Sequence, residues 1–493
     1  MSGFVRRIAG LVAVAALGGA ATLPLVAQGW PDEAPPRPLA ERPVKFPGYE
    51  LKTLANGLQV LVVPHHEQPS VSFRLLVRAG AVQEPADRPG VASFVASLLN
   101  QGTTTKSAKE IANTIDSAGG LLGVGSGNEL TYVQSAVVKD RADEAAALMA
   151  DVVQRPAFSP DEIALQRKQM LSSLQVGYDD PDYLAGAVFE RLIFGLHPYG
   201  RPNEGTPESI ERITQADLQA FHRAWFVPNN ALLAVVGDLT VAEAFGVAER
   251  AFGSWARRDV PTTTITEPPA PARRVVIVDR PGSAQTEIRV GHLAIPRTHA
   301  DLVPFDIAIR ILGGEGANRL FGVLRSERGL TYGASADLNT YRSSGVVVAE
   351  TDTRTSGTAE SLRLMVDEFR RLQRETVDPR ELRGVQDFLA GNFPLSIETS
   401  SAIAEQVLSR LFYGQSLAEI ETYLGEVSQV TPIDVQRVAR QHLKPDQLSI
   451  VLVGDAATFV DQLRGMGFAE YDRIPVSQLD LGSPTLRRRP AAR

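Results

Sequence analysis

Histidine and carboxylate side chains are the groups with which this chain could bind a metal ion. The chain has seven histidines and no cysteine, so a zinc site would need imidazole and carboxylate ligands. The histidines form no H-E-x-x-H or H-x-x-E-H pattern, the spacings that place two imidazoles on one helix face. His65-His66-Glu67 comes nearest, but adjacent residues of an extended segment point to opposite sides. The segment favours a solvated loop over a metal site, and both interpretations stay open.

Residues 89–100 (PGVASFVASLLN) have the pattern of an amphipathic helix. A second, smaller stripe carries Ser93, Ala96 and Ser97 at i, i+3 and i+4, the spacing of the functional residues in H-x-x-E-H. Serine hydroxyls are poor zinc ligands, and nothing on this stripe can act as a base near neutral pH. The apolar stripe that predicts the helix consists of Val91, Phe94, Val95, Leu98 and Leu99.

Arg325 and Tyr332 follow a glycine-rich loop, residues 313–316 (GGEG). The loop lacks the Lys-Ser or Lys-Thr of a phosphate-binding loop and indicates a helix-entry turn. We predict a helix that passes through Arg325 and closes near Gly329, then a strand containing Tyr332. A guanidinium and a phenol can donate hydrogen bonds to a carbonyl or an oxyanion. Alternatively, Arg325 caps the helix end and Tyr332 is a core residue, and spacing alone favours these structural roles.

Several elements can be predicted around these residues. In residues 54–63 (LANGLQVLVV), Asn-Gly precedes a β-prone run, which is a strong hairpin signal. Residues 72–77 and 130–138 are predicted strands, and residues 110–118 and 140–153 are predicted amphipathic helices.

Two segments of the chain resemble each other. Residues 216–239 and 433–456 each read as a helix, a proline-bearing turn and an apolar strand closed by Val-Gly-Asp. This repetition indicates a duplicated domain. The predicted fold class is α+β, with two homologous domains that each have a mainly antiparallel sheet and helices packed on one face.

Proline-rich stretches and the N-terminus divide the chain further. Residues 1–27 have two arginines, an apolar run and Leu25-Val26-Ala27 as a cleavage site, which predicts a signal peptide and export to the periplasm. A retained membrane anchor is the alternative. The other predicted parts are a leader (28–43), a first domain (44–258), a linker (259–272), a second domain (273–475) and a tail (476–493).

The composition excludes one class of partner. The chain has 493 residues, of which 44% are hydrophobic and 22% charged, and a net charge of −7. A nucleic-acid-binding protein needs a basic surface, so this balance argues against such a partner.

Five sequence blocks, in order, resemble the insulinase/pitrilysin-type metallopeptidases, specifically their two-domain, processing-peptidase-like branch. The blocks are LANGLQVLVVP (54–64), GVASFVASLLNQGT (90–103), HPYGRPNEGTPESIERIT (197–214), VPNNALLAVVGD (227–238) and LGGEGANRLFGVLRSERGLTYGASA (312–336).

The resemblance implies roles for particular residues. The inverted zinc motif of the family falls on residues 93–97, so serine replaces both ligand histidines, at Ser93 and Ser97, and Ala96 replaces the general-base glutamate. The third zinc ligand falls on Ser173 or its neighbour Ser172. An arginine and a tyrosine that hold the substrate's peptide carbonyls match Arg325 and Tyr332. In relatives, the glycine-rich loop helps to admit substrate.

The resemblance therefore predicts a non-catalytic, substrate-binding subunit of an exported heterodimeric zinc metallopeptidase that acts on peptides. A partner subunit would supply the zinc site, and this chain would hold no cofactor. An extended peptide would pair with a sheet edge, for which residues 128–138 are the expected strand. The alternative is an inactive scaffold or peptide-binding protein of the same fold. An independent peptidase is disfavoured, because the chain has no cysteine and no evident Ser-His-Asp motif.

Overall fold

The structure, a computed structural model, describes residues 46–263, 267–270, 272–314, 316 and 318–488. The predicted signal peptide and leader lie outside the described residues, as do parts of the linker (264–266 and 271), Glu315 of the glycine-rich loop and the last residues of the tail (489–493). Among the described residues, no helix is both long enough and apolar enough to cross a membrane. The predicted domain boundaries stay predictions.

The first sheet is built from residues 50–237. Its strands are β1 (Glu50–Thr53), β2 (Gln59–Pro64), β3 (Ser70–Val77), β4 (Leu121–Ser126), β5 (Thr131–Val138) and β6 (Ala231–Gly237). They lie in the order β1-β2-β6-β3-β5-β4, and all neighbours are antiparallel except β2 and β6. The predicted strands 72–77 and 130–138 are present as β3 and β5.

The predicted hairpin is present at the start of this sheet. β1 pairs with β2 from Thr53 opposite Gln59, and Gly57 in the connection has φ +92°, a conformation that favours glycine. Asn56 Nδ2 donates hydrogen bonds to the carbonyls of Phe252, at 2.8 Å, and Trp255, at 3.1 Å. The Asn-Gly pair therefore both turns the chain and fastens the turn to a later helix.

The second sheet repeats this arrangement. Its strands are β7 (Arg274–Asp279), β8 (Gln285–Ala294), β9 (Ala334–Thr340), β10 (Gly345–Arg354), β11 (Ser449–Gly454) and β12 (Asp472–Pro475). They lie in the order β12-β7-β11-β8-β10-β9. β7 is parallel to β11 and β12, and the other neighbours are antiparallel. Five of the six strand positions correspond in the two sheets. The sixth position, next to β2 or β7, is taken by β1 from the start of the first half and by β12 from the end of the second half.

Helices fill most of the remaining chain. In the first half they are α1 (Val91–Leu98), α2 (Ala108–Ser117), α3 (Ala142–Gln154), α4 (Pro160–Asp179), α5 (Pro181–Phe194), α6 (Pro207–Arg212), α7 (Gln215–Trp225) and α8 (Val241–Phe252). In the second half they are α9 (Leu302–Gly313), α10 (Thr358–Arg374), α11 (Pro379–Asn392), α12 (Ser400–Tyr413), α13 (Ala418–Gln429), α14 (Pro432–His442) and α15 (Ala456–Arg464). The predicted helices 89–100, 110–118 and 140–153 correspond to α1, α2 and α3.

The two similar sequence segments fold in the same way. Each is a helix followed by a central strand, α7 and β6 in one half and α14 and β11 in the other. Both helices begin with the same capping box, Thr214 with Asp217 and Thr431 with Asp434, which satisfies the first backbone N–H groups. The repeated cap and strand support the predicted α+β class and the duplication.

Each sheet also receives a helix from the other half of the chain. In the second sheet, Ile277 faces the helices of its own half, whereas its neighbour Val278 packs with Val188 of α5 on the opposite face. In the first sheet, Ser72 Oγ lies 2.8 Å from Ser401 Oγ of α12. This exchange of α5 and α12 adds a second helical layer to the predicted one. Each half keeps its own main hydrophobic core, and a third apolar cluster between α5 and the second sheet contains residues of both halves.

Candidate functional site

Helix α1 is held at its first turn by a buried carboxylate. Glu84 is 7% exposed, and its two oxygens accept hydrogen bonds from Gly90 N at 3.0 Å and Ala92 N at 2.9 Å. Burial raises the pKa of Glu84 to about 8, although the two backbone N–H groups oppose the shift. This carboxylate satisfies orphan N–H groups of the helix and sets its position.

The small stripe of α1 offers little to a metal ion. Ala96 is buried, and Ser93 and Ser97 are half-buried. Ser97 Oγ donates to the carbonyl of Phe94 at 2.9 Å, so this hydroxyl is engaged within its own helix. The stripe therefore provides two neutral hydroxyls and a methyl group.

Helix α4, which packs against α1, carries the position of the expected third ligand. Ser173 and Ser172 are both exposed on it. Arg167 of the same helix lies over the Phe94 ring, with its guanidinium carbon 5.3 Å from the ring centre. Arg167 Nη2 also donates to the carbonyl of Ile213 at 2.7 Å. A shallow cavity of about 470 Å³ on this face is lined by Ala164, Arg167, Lys168, Leu171, Ser172 and Gln175.

These residues do not fit a zinc ion. Zinc sites in proteins use histidine, cysteine and carboxylate ligands, and the positions matched to the zinc motif carry serine and alanine instead. Arg167 and Lys168 line the same shallow cavity as Ser172, so its charged side chains are cationic.

The helix that carries Arg325 has an unusual geometry. It begins as one α-turn (Arg319–Phe321) and continues as a π-helix (Gly322–Glu327), a form that is rare and frequent at functional sites. The buried Arg319 anchors it through two bonds to the Glu381 carboxylate, at 3.0 and 2.9 Å. The helix ends as predicted, with Gly329 at φ +59°.

The predicted strand position of Tyr332 is wrong. β9 begins only at Ala334, because the Thr331 hydroxyl bonds to Gly333 N at 3.1 Å and Gly333 O at 2.8 Å and holds these residues in a turn. The Tyr332 side chain is 84% exposed, so it is not a core residue. Turn chemistry therefore presents the phenol to solvent.

Arg325 and Tyr332 are brought together by the backbone. Arg325 Nη1 donates to the carbonyl of Tyr332 at 3.0 Å, and the guanidinium carbon lies 4.9 Å from the centre of the Phe321 ring. These contacts hold the exposed Arg325 side chain in one place. Its hydrogen bond goes to a carbonyl of the loop after the helix and not, as the capping alternative predicted, to a carbonyl at the helix end. Both side chains can still donate hydrogen bonds to a ligand.

A cavity of about 590 Å³ adjoins this pair, and Phe321 and Gly333 are in its lining. Among its lining residues, the Arg289 side chain is 7% exposed and lies between Glu350, at 3.2 Å, and Glu287, at 3.8 Å. Asp182 of α5 forms a further ion pair with Arg289. Burial raises the pKa of Glu287 to about 7, although Arg289 opposes the shift. The cavity is thus polar and acidic, and residues of both halves line it.

The edge strand of the first sheet is not the one predicted. Within the predicted segment 128–138, residues 131–138 form β5, which lies between β3 and β4, so β5 is not an edge. The glycine-rich segment before it forms β4, with Gly125 opposite Tyr132, and becomes the outer strand. A Cβ on Gly125 would come within 2.5 Å of the Tyr132 hydroxyl, so glycine permits the pairing.

The histidines near the start of the chain have separate partners. His66 Nδ1 lies 2.6 Å from Asp238 Oδ1, and His65 Nε2 lies 3.8 Å from Glu67. Among the described residues, the group of side chains close enough to share a metal ion is a different one: His299, Asp301 and His442. No sequence spacing indicates this group, because His299 and His442 lie in distant segments.

Two family profiles match the chain, one described as insulinase (peptidase family M16) over residues 59–202 and one as peptidase M16 inactive domain over residues 212–389. An uncharacterized zinc protease of Mycobacterium tuberculosis is 29% identical over 420 residues, which cover 84% of this chain and 95% of the relative. A solved peptidase M16 inactive domain from Pseudomonas fluorescens has a TM-score of 0.79 at 28% identity and covers 82% of this chain and 98% of that one. A protease from Helicobacter pylori has a TM-score of 0.78 at 22% identity, covers 83% and 100% of the two chains, and shows the same fold.

Proposed function

Because the chain belongs to the insulinase (M16) family of peptidases, we propose that it is the non-catalytic, substrate-binding subunit of an exported, periplasmic zinc metallopeptidase that acts on peptides. A paralogous partner subunit supplies the H-x-x-E-H site and its zinc. This chain contributes Arg325 and Tyr332 to the shared site.

The observation that carries the proposal is the contrast between the two halves. In the first half, the positions matched to the zinc ligands and the general base are Ser93, Ala96, Ser97 and Ser173. In the second half, Tyr332 is 84% exposed and Arg325 is fixed beside it by a 3.0 Å hydrogen bond. A large aromatic side chain that is this exposed contributes little to folding, so we take the position of Tyr332, with Arg325 held beside it, as the support for a ligand-binding role. A peptidase in which the partner subunit supplies the zinc site and this chain supplies Arg325 and Tyr332 would account for both features.

The substrate peptide extends the first sheet at β4. Its outer side has no strand partner among the described residues. Strand addition supplies backbone hydrogen bonds that depend little on peptide sequence, and side-chain cavities then select among peptides. The acidic cavity beside Arg325 would favour peptides with a positively charged group near the bound segment.

The test measures hydrolysis of an unstructured peptide in three samples. The first contains only this chain, the second contains only a paralogue that carries the H-x-x-E-H motif, and the third contains both. We expect activity above that of the paralogue only in the mixture. Arg325→Ala and Tyr332→Phe should each lower kcat/KM of the mixture by about tenfold or more, since an oxyanion-hole donor contributes about 10²–10³-fold. Arg328→Ala is the matched control, because Arg328 directly follows the π-helix that carries Arg325 and is also exposed.

Two outcomes would contradict the proposal. If the mixture is no more active than the paralogue, the chain is not a subunit of that peptidase. If this chain alone hydrolyses the peptide in a zinc-dependent way, the interpretation of α1 is wrong.

The second candidate function is an inactive scaffold or peptide-binding protein, and the serine and alanine residues of α1 favour it equally. Peptide binding by this chain without turnover in any mixture would select it.

A further inference from the structure

Three metal-binding side chains meet in the second half of the molecule, outside the site described above. His299 and Asp301 lie on the turn that begins α9, and His442 is the last residue of α14. One ligand atom from each lies within 4.8 Å of the other two. We infer that His299, Asp301 and His442 bind a divalent transition-metal ion of the zinc class, an ion that is separate from peptide hydrolysis.

The pair Asp301 and His442 already has the geometry of two neighbouring ligands. Asp301 Oδ2 lies 2.7 Å from His442 Nε2, and the two side chains are 15% and 10% exposed. Zinc bonds of about 2.0–2.1 Å place neighbouring ligand atoms about 3.3 Å apart. An ion can therefore replace the proton between these two atoms after a small separation of the side chains.

His299 has to approach by no more than about 1.5 Å to complete a tetrahedral set with one water. Its ring already packs on that of His442, with 5.0 Å between ring centres. His299 Nδ1 accepts a hydrogen bond from Asp301 N at 3.0 Å. This bond holds the His299 ring in the turn before α9, beside Asp301.

The surroundings orient the ligands. Arg437 Nη2 donates to the second oxygen of Asp301 at 2.8 Å, which fixes the plane of the carboxylate. The buried Phe305 packs beside His442, with 5.3 Å between ring centres, and supports one side of the group. Arg437 also brings a positive charge, but its side chain is 46% exposed, so solvent screens that charge. The bound ion would tie the start of α9 to the end of α14.

The experiment is Zn²⁺ binding to the metal-free mature chain, measured by equilibrium dialysis, with Co²⁺ as a spectroscopic probe. We expect one Zn²⁺ per chain, the visible absorption of tetrahedral Co²⁺, and a rise in melting temperature with Zn²⁺. His299→Asn should weaken binding by at least about tenfold, since even the loss of an outer-shell partner costs about 10–100-fold. Asparagine keeps an acceptor for Asp301 N, so the turn should fold.

His66→Asn is the matched control. His66 also pairs with a carboxylate, Asp238 at 2.6 Å, which Lys139 approaches at 3.2 Å, but its side chain is 57% exposed and it belongs to no metal-binding group among the described residues. Its substitution should leave Zn²⁺ binding unchanged. Absence of Zn²⁺ binding to the unmodified chain, or equal binding by His299→Asn, would overturn the inference. Because these readouts require no peptide hydrolysis, the result is independent of the proposed subunit role.

Discussion

At the scale of single residues, the first half combines a structural carboxyl group, Glu84, with serine and alanine at the positions matched to the zinc motif. Glu84 is buried and bonded to the first turn of α1, whereas Ser93 and Ser97 on the next turns are half-buried hydroxyls. Helix α1 is therefore held in place by hydrogen bonds, although its small stripe offers no good zinc ligand. A substrate-binding or scaffolding role, which needs the fold without the metal, is consistent with this.

Glu84→Gln should lower the free energy of unfolding by about 1–3 kcal/mol at pH 5. The NH₂ of the glutamine side chain cannot accept a hydrogen bond, so one of the two backbone N–H groups loses its acceptor. The loss should be smaller at pH 8. The pKa of Glu84 rises from 4.5 to about 8 on folding, so its stabilising contribution is complete below about pH 4.5 and disappears as the pH rises through about 8. Urea denaturation midpoints at the two pH values measure this. An equal loss at both would show that Glu84 keeps its charge throughout.

At the scale of elements, α1 is positioned by a close crossing of two glycine-containing segments. Gly90 has φ +92°, and a Cβ there would lie 2.9 Å from both Gly205 Cα and the Glu204 carbonyl oxygen. A side chain would thus be strained in its own conformation and would push apart the start of α1 and the loop before α6. This crossing sets the distance between α1 and its neighbours.

Gly90→Ala should destabilise the protein by about 2 kcal/mol or more, since the left-handed conformation alone costs about 1–2 kcal/mol. Gly186→Ala is the control, because Gly186 lies inside α5 and a Cβ there meets nothing within 4 Å. That substitution should be neutral or stabilise by up to about 1 kcal/mol. Thermal unfolding of the two variants side by side gives the comparison. Equal melting temperatures would mean that the crossing at Gly90 is easily relaxed.

At the scale of the whole molecule, the halves are joined by exchanged helices and by one buried carboxylate. Glu129 is 8% exposed and accepts hydrogen bonds from Tyr199 OH at 2.7 Å, Tyr413 OH at 3.0 Å and Arg342 N at 3.1 Å. Tyr413 is the last residue of α12, the helix that the second half packs on the first sheet. Glu129 therefore fastens the exchanged helix where the two halves meet.

Glu129→Ala should lower the free energy of unfolding by about 3 kcal/mol or more, since a hydrogen bond to a charged group contributes about 1.5–3 kcal/mol. Tyr413→Phe, which removes one of the three bonds, should cost about 1 kcal/mol. Urea denaturation followed by far-UV circular dichroism compares the variants. A Glu129→Ala protein no less stable than Tyr413→Phe would show that the exchanged helices suffice to join the halves.

The sequence by itself determined the elements whose causes are local. The Asn56-Gly57 turn, the apolar stripe of α1 and the Thr-x-x-Asp caps of α7 and α14 depend on residues a few positions apart, so pattern and capping chemistry predict them. The predicted α+β class and duplication rest on such units. The sequence also shows directly the serine and alanine residues of α1 and the spacing of Arg325 and Tyr332. The roles of these residues, the export signal and the partner subunit stay predictions.

Only the tertiary structure decided how distant segments meet. The sequence predicts no strand at β4, whose glycines have low β-propensity; pairing with β5 outweighs that propensity and makes β4, rather than β5, the edge strand. The Thr331–Gly333 turn exposes Tyr332, and the exchange of α5 and α12 covers the second face of each sheet. His299 and His442 approach each other only because α9 packs on α14. Such contacts depend on packing between residues far apart in the chain, which local patterns do not record.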